Sequence, residues 1–325
     1  MSLENPAFYS WVAFLLHSIL VTIGLRGLTV LFFRLNYSAK QKGCYMLKIA
    51  YQGAPGAYSH IACSQLFPNQ EYVPCDTFEI AMEMVKNGSV DKAVIPVENS
   101  NAGRVSDVHF LLPKAGLHIV GEHFLRVEHQ LIGVKGAKLE DIVCAASHPQ
   151  ALAQCSEFLQ KHNIKALSRI DTAKSCEKIA QEQDITKAAI ASKLAAEIYG
   201  LQILASNIEN ANNNTTRFLI MQKENAIPVD DGGKFITSIV FVTKHIPAAL
   251  YKVLGGFATN GINICKLESY LLNGHFFSAQ FYIEVEQHIE SKALRYAMEE
   301  LKFFSEKYQI LGCYKANQYR EHKNK

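Results

Sequence analysis

The sequence predicts an α/β protein of two folded units, and three observations carry that prediction. From residue 46 to about 221, short apolar runs alternate with helical stretches, the pattern of strands joined by helices. A stretch at 223–234 then gathers Asn225, Pro228, Asp230, Asp231, Gly232 and Gly233, the residue types of turns and linkers. Beyond it the order is strand, helix, hairpin, helix, strand, the ferredoxin-like βαββαβ arrangement. A chain of 325 residues allows about two domains at roughly 100–200 residues each. It can bury adequate cores without disulfide or metal staples.

Taken in order, the expected strands of the first unit are 47–51, 92–97, 130–134, 142–146, 188–191 and 217–221. Between them the spacing predicts helices at 59–67, 78–87, 149–162, 176–183 and 193–199. Strands so separated are expected to form parallel sheets. In the second unit, 238–243 reads as a strand. Pro247 opens a helix in its first turn, where proline is tolerated, and the helix ends near Asn260-Gly261. Strands at 263–270 and 276–285 flank Asn273-Gly274, a type I′ hairpin signal. A helix at 291–304 and a strand at 309–314 complete the unit.

The first 45 residues stand apart. Residues 6–25 are uncharged apart from His17 and mostly apolar, and Arg26, Arg34, Lys40 and Lys42 follow. About 20 such residues suffice to cross a bilayer, with the basic flank on the cytoplasmic side. The other readings are a targeting segment and a dispensable extension ahead of a working start at Met46, directly before the first strand. The expected organisation is therefore an extension at 1–45, a first domain at 46–223, a linker at 224–234, a second domain at 235–316 and a tail at 317–325.

Composition narrows the class. Hydrophobic residues make up 49% and charged residues 19%, which excludes a disordered chain. Thirty-three basic side chains against 30 acidic ones, a net charge of +3, give no nucleic-acid footprint. The eight cysteines form no C-x-x-C pair and no zinc spacing. Reduced thiols in the cytoplasm are the expectation.

Four polar clusters fall where α/β sheets present ligands, at strand ends and helix starts. Gln52 to Ser59 is a glycine turn into a helix, which favours an anion but lacks the dinucleotide fingerprint. Glu98, Asn99, Ser100 and Arg104 crowd the loop after the second expected strand. Ser147-His148-Pro149-Gln150 opens a helix that Ser147 can cap. Asn212 to Phe218 brings a threonine and an arginine to the mouth of a strand, a hydrogen-bond donor beside a bidentate carboxylate binder. Arg217 has a structural alternative, pairing with Glu98.

Together these clusters resemble the prephenate dehydratase family. The matching stretches are 53–59, 96–105, 128–133, 171–173 and 214–218, and the Val-Glu-Asn-Ser and Thr-Arg-Phe motifs in this order are specific. The second unit resembles the ACT regulatory domain attached to that enzyme, through Asn260-Gly261-Ile262-Asn263 and Glu268-Ser269. The likeness spans residues 46–314. The first 45 residues are too short and apolar for the chorismate mutase domain that some family members carry.

The resemblance implies a catalytic domain of two α/β lobes, similar to type II solute-binding proteins, with the site in the cleft between them. It implies a carbon–oxygen lyase that converts prephenate to phenylpyruvate without metal or organic cofactor. Arogenate dehydratase, or a non-catalytic two-lobed amino-acid sensor, are the alternatives. By the motif, Thr216, Arg217 and Phe218 are the expected catalytic trio, Thr216 helping the ring hydroxyl leave. Gly56, Ala57, Ser59, Glu98, Asn99, Ser100, Thr172 and Asn214 are the expected substrate contacts. Phenylalanine is the implied feedback effector, held by Ala249, Leu250, Asn260, Gly261, Ile262, Asn263, Glu268 and Ser269, with assembly into a homodimer or homotetramer through the ACT domains. Two departures from the family pattern are Tyr270-Leu271 in place of Arg-Pro, and Ala248 in place of glycine.

Overall fold

The computed structural model describes residues 46–272 and 275–321. The apolar segment 1–45, the Asn273-Gly274 turn and residues 322–325 of the tail lie outside the described residues. No helix among the described residues is long and apolar enough to cross a membrane.

The chain begins with β1 (Lys48–Gln52), α1 (Tyr58–Leu66), β2 (Glu71–Cys75), α2 (Phe78–Lys86), β3 (Lys92–Asn99), β4 (Gly103–Arg104), α3 (Ser106–Leu111) and β5 (His118–Arg126). Thr77 starts α2 by accepting from the Ile80 amide, a standard N-cap. A second group follows: β6 (Gln130–Gly133), β7 (Cys144–Ser147), α4 (Pro149–Gln154), α5 (Ser156–Lys161), β8 (Lys165–Ser168), α6 (Thr172–Glu182), β9 (Lys187–Ala191), α7 (Lys193–Ile198) and β10 (Gln202–Ala205). The chain then returns to the first group as β11 (Thr215–Gln222).

These strands form two sheets, ordered β2-β1-β3-β11-β5, with β4 on β3, and β10-β6-β9-β7-β8. Each is the centre of one lobe. The expected parallel sheets prove to be mixed. Strands joined by helices within a lobe are parallel, as β1 is to β2 and β3, and β7 to β8 and β9. The strands by which the chain leaves and re-enters a lobe run antiparallel: β11 to β5 and β3, and β6 to β10 and β9. The single helix expected over 149–162 is two, broken at Cys155, whose backbone leaves the helical region. The helix expected from 176 begins earlier, where Asp171 caps it by accepting from the Lys174 amide.

The C-terminal unit comprises β12 (Phe235–Thr243), α8 (Ala249–Thr259), β13 (Ile264–Leu272), β14 (His275–Val285), α9 (Lys292–Phe304) and β15 (Ser305–Lys315), with a final turn at Gln318–Arg320. Its sheet order, β13-β14-β12-β15, is the ferredoxin-like topology the sequence predicts. Pro247 sits in the turn before α8 rather than in its first turn, and Ala248, the N-cap, takes a left-handed φ of 58°.

One face of this sheet lies under α8 and α9, through Ile239, Phe241, Phe257 and Leu301. The other face, through Ile236, Val240, Tyr282 and Tyr314, shares a core with Ile119, Leu219 and Met221 of the first lobe. Both faces of β12 are therefore buried, which explains its unbroken apolar run. The two units meet backbone to backbone at Gly312, where a Cβ would stand 2.0 Å from the Ile119 carbonyl oxygen.

Candidate active site

A cleft of about 280 Å3 opens between the lobes, lined by Gln52, Tyr58, Asn99 and Thr216 from the first and His129, His148, Gln154, Asp171 and Thr172 from the second, among others. Two strand ends and three helix starts converge on it. Asn99 ends β3 and faces Thr216 across the ladder, while Tyr58, Pro149 and Thr172 begin α1, α4 and α6. Helix N-termini present unpaired N–H groups and positive potential. These helix starts favour an anion, while Asp171, the carboxylate cap of α6, also lines the cleft and no Lys or Arg among the described residues does.

Hydrogen bonding fixes how Thr216 is presented. Asn99 Oδ1 accepts from the amides of Asn101 and Ala102, both at 3.0 Å. Its Nδ2 must then be the end that faces the site, donating to Asn214 Oδ1 at 2.8 Å and to Thr216 Oγ1 at 3.0 Å. The threonine oxygen accepts, so its own proton is free for another acceptor.

The network continues behind Asn214, whose Nδ2 donates to Gln154 Oε1 at 2.9 Å. Gln154 Oε1 also lies 2.9 Å from His129 Nε2, which must carry the proton. His129 Nδ1 is 2.7 Å from the Tyr58 hydroxyl across the cleft. Burial pushes the His129 imidazole below its ordinary range, which favours the neutral ring, and its Nδ1 shares the Tyr58 proton with the Glu128 carbonyl at 2.9 Å. His148 Nδ1 accepts from the Gln150 amide, which leaves Nε2 as that ring's donor.

The structure brings Thr216, Asn99 and Thr172 of the expected residues to the cleft, with Asn214 buried directly behind. It takes others elsewhere. Arg217 follows Thr216 on a strand, so its side chain leaves by the opposite face. There it is buried against Glu122 and Glu284, at 2.7 and 2.9 Å from Nη2, with Glu98 at 3.2 Å from Nη1. Glu98 also pairs with Lys266. Burial works to raise the Glu98 carboxyl, but Lys266 and Arg217 outweigh it and hold it below its ordinary range. Phe218 is core, packed with Tyr51, Val94 and Leu125. Ser100 fastens its loop to β11, donating to the Asn213 carbonyl and accepting from the Thr215 amide. Gly56 and Ala57 pack on the second lobe: Ala57 belongs to its core, and a Cβ on Gly56 would meet Ala195 Cα at 2.6 Å. Ser59 is buried in α1.

The expected effector residues also separate. Asn260 turns back on its own helix, bonding the Gly256 carbonyl, and Ile262 is core. Asn263 is exposed and donates to Glu286. Glu268 pairs with Arg104 at 3.0 Å, and the Ser269 carbonyl accepts from the same arginine. Among the other cleft residues, Tyr58, His129 and Asp171 lie within the matched stretches and His148 in the cluster that opens α4, whereas no local signal in the sequence marks Gln154.

This two-lobed α/β architecture with a neutral hydroxyl donor at its cleft matches a known class. The prephenate dehydratase family model matches residues 49–226. The chain belongs to the prephenate dehydratase family. It is 45% identical over 272 residues to a bifunctional N-acyl-homoserine lactone acylase/prephenate dehydratase from Komagataeibacter europaeus, covering 84% of this chain and 97% of that protein. To the chloroplastic arogenate dehydratase/prephenate dehydratase 1 of Arabidopsis thaliana it is 43% identical, covering 82% and 72%. Among solved structures, the prephenate dehydratase of Arthrobacter aurescens in complex with L-Phe superposes with a TM-score of 0.76 at 27% identity, covering 83% of this chain and 90% of that one. A structure described as a novel type of quorum quenching acylase gives 0.79 at 45% identity, covering 84% and 99%.

Proposed function

We propose that the protein is a prephenate dehydratase, a carbon–oxygen lyase releasing phenylpyruvate, carbon dioxide and water. The observation that carries this reading is the Thr216 hydroxyl, held by Asn99 so that its proton is free at the mouth of an anion-suited cleft. As the ring carboxylate departs as carbon dioxide, its bonding electrons enter the ring and the carbon–oxygen bond opposite breaks. Thr216 donates to the leaving oxygen as charge develops there, without adding a charge of its own. With Arg217 engaged elsewhere, the substrate carboxylates rest on the N–H groups at the starts of α1 and α6 and on neutral donors such as His148 Nε2 and the Thr172 hydroxyl.

Arogenate, the amino analogue, is the alternative substrate, and plant relatives named for both support keeping it in view. The acylase activity named for the Komagataeibacter relative draws no support from the geometry, since Thr216 Oγ1 is held by an amide rather than by a base. The C-terminal unit is read as an ACT domain that binds phenylalanine and pairs with a second copy; the L-Phe complex of the Arthrobacter relative supports the effector. Every cysteine among the described residues is a free thiol, which suits a reducing cytoplasm.

The test is incubation with prephenate, arogenate and an N-acyl-homoserine lactone in parallel. Phenylpyruvate formation from prephenate is expected to be fastest. Phenylalanine formed faster from arogenate would move the substrate to the amino analogue, and turnover of neither would overturn the reading.

A further inference from the structure

Two adjacent rungs of one ladder face opposite ways. β11 pairs with β3 so that Thr216 stands opposite Asn99 and Arg217 opposite Glu98. The first pair meets at the cleft and the second meets on the far side, against the C-terminal unit. Each member of the second pair is gripped by an opposite charge from that unit. Glu284 on β14 reaches Arg217 at 2.9 Å, and Lys266 on β13 reaches Glu98.

We propose that Glu284 and Lys266 are positioning residues for Thr216 and Asn99, so that the C-terminal unit completes the geometry of the active site. The inference rests on the dehydratase reading above. Three observations support it. Arg217 and Glu284 are both buried, so neither charge has bulk water as a substitute partner. Charge is matched locally: Arg217 and Arg320 share Glu122 and Glu284, and removing one member leaves another uncompensated. The register between β11 and β3 shifts directly after Arg217, so the Thr216–Asn99 and Arg217–Glu98 rungs are set off together from the rest of that ladder, while β11 stays paired with β5 from Thr215 to Ile220. A misplacement of about 1 Å at a reacting group costs on the order of 10²-fold in rate.

The experiment uses the full chain as wild type, Glu284→Gln, Lys266→Met, Thr216→Ala and the Glu284→Gln/Thr216→Ala double variant. Prephenate turnover is measured well below each melting temperature, with hydrogen exchange of the 214–219 segment alongside. Glu284→Gln and Lys266→Met are expected to lower kcat about 10–100-fold with KM changed less than about threefold, and to speed exchange in that segment. In the Thr216→Ala background, Glu284→Gln should add almost nothing, as residues acting through one group are non-additive. Should Glu284→Gln fail to fold, Lys266→Met, at a less enclosed position, carries the test. Unchanged kcat in the folded variants, or a full additive loss in the double variant, overturns the proposal. If wild type fails to turn over prephenate, the dehydratase reading falls, and exchange in 214–219 still decides whether the second unit holds this strand. Unchanged exchange there overturns the proposal.

Discussion

Asn99 donates to Thr216 across the β3–β11 ladder, and the same amide group donates to Asn214. Both protons of the Asn99 Nδ2 are thereby spent within the protein, and the threonine keeps its own proton for another acceptor. A substrate oxygen arriving at the cleft meets a donor that has already been oriented.

Replacing Thr216 with alanine is expected to lower kcat by about 10²–10³ with little change in KM, the typical cost of one donor acting on developing charge. Thr216→Ser should retain part of the activity. Steady-state kinetics on prephenate checks both, and near wild-type kcat in the alanine variant would transfer the donor role to another group.

Asn99→Ala removes the amide that orients Thr216 and leaves Asn214 short of a donor. A kcat loss of at least about tenfold is expected, since an oriented donor is worth several kcal/mol at such sites. Asn99→Asp is a sharper probe: a carboxylate accepts where the amide donated, so the threonine proton turns inward and activity should fall further than in the alanine variant.

Acid should loosen the junction between the two units. Burial works to raise the Glu284 carboxyl, but Arg217 and then Arg320 hold it at about 2, below the ordinary value of about 4.3. A carboxyl depressed by folding contributes stability that is complete above its unfolded value and is lost as pH falls toward the folded one. Melting temperature should therefore drop between about pH 4.5 and pH 2, and Glu284→Gln should flatten that part of the profile. Equal slopes in calorimetric scans of the two proteins would show that other carboxyls control acid unfolding.

Ala248 holds a left-handed conformation at the start of α8. An L-residue there costs about 1–2 kcal/mol, of which glycine returns part to unfolded-chain entropy. Ala248→Gly is expected to stabilise the protein by about 0.5–1 kcal/mol, read as a shift in denaturation midpoint. Calorimetric titration of phenylalanine into wild type, Ala248→Gly and Asn263→Ala should show binding that weakens in the asparagine variant. No heat in any of the three at millimolar phenylalanine would leave the unit without this effector.

Much of this was legible in the sequence, and the failures have physical causes. The strands buried on both faces of their sheets, such as Lys92–Asn99 and Lys187–Ala191, announce themselves as unbroken apolar runs. The strands that were missed either lie at edges, as Glu71–Cys75 with its Pro74 and the largely exposed Lys165–Ser168 do, or carry buried charge. His118–Arg126 is the telling case: Glu122 is buried within it only because Arg217 and Arg320 reach it, and no local pattern reveals that. The motif points to Thr216, which lines the cleft, and reads Arg217 as its partner on the same substrate. Strand alternation carried the contrary signal, because neighbours on one strand cannot both face one cleft. The alternative pairing with Glu98 is the one the structure contains.

The contact at Gly312 bears on how this architecture can be re-engineered. With the Ile119 carbonyl where a side chain would begin, the C-terminal unit is fitted to this first lobe rather than fastened to it as an interchangeable cartridge. A homologous unit transplanted from another chain would have to bring a glycine to that one position. Otherwise its first methyl group would act as a wedge, prising the ionic seam apart.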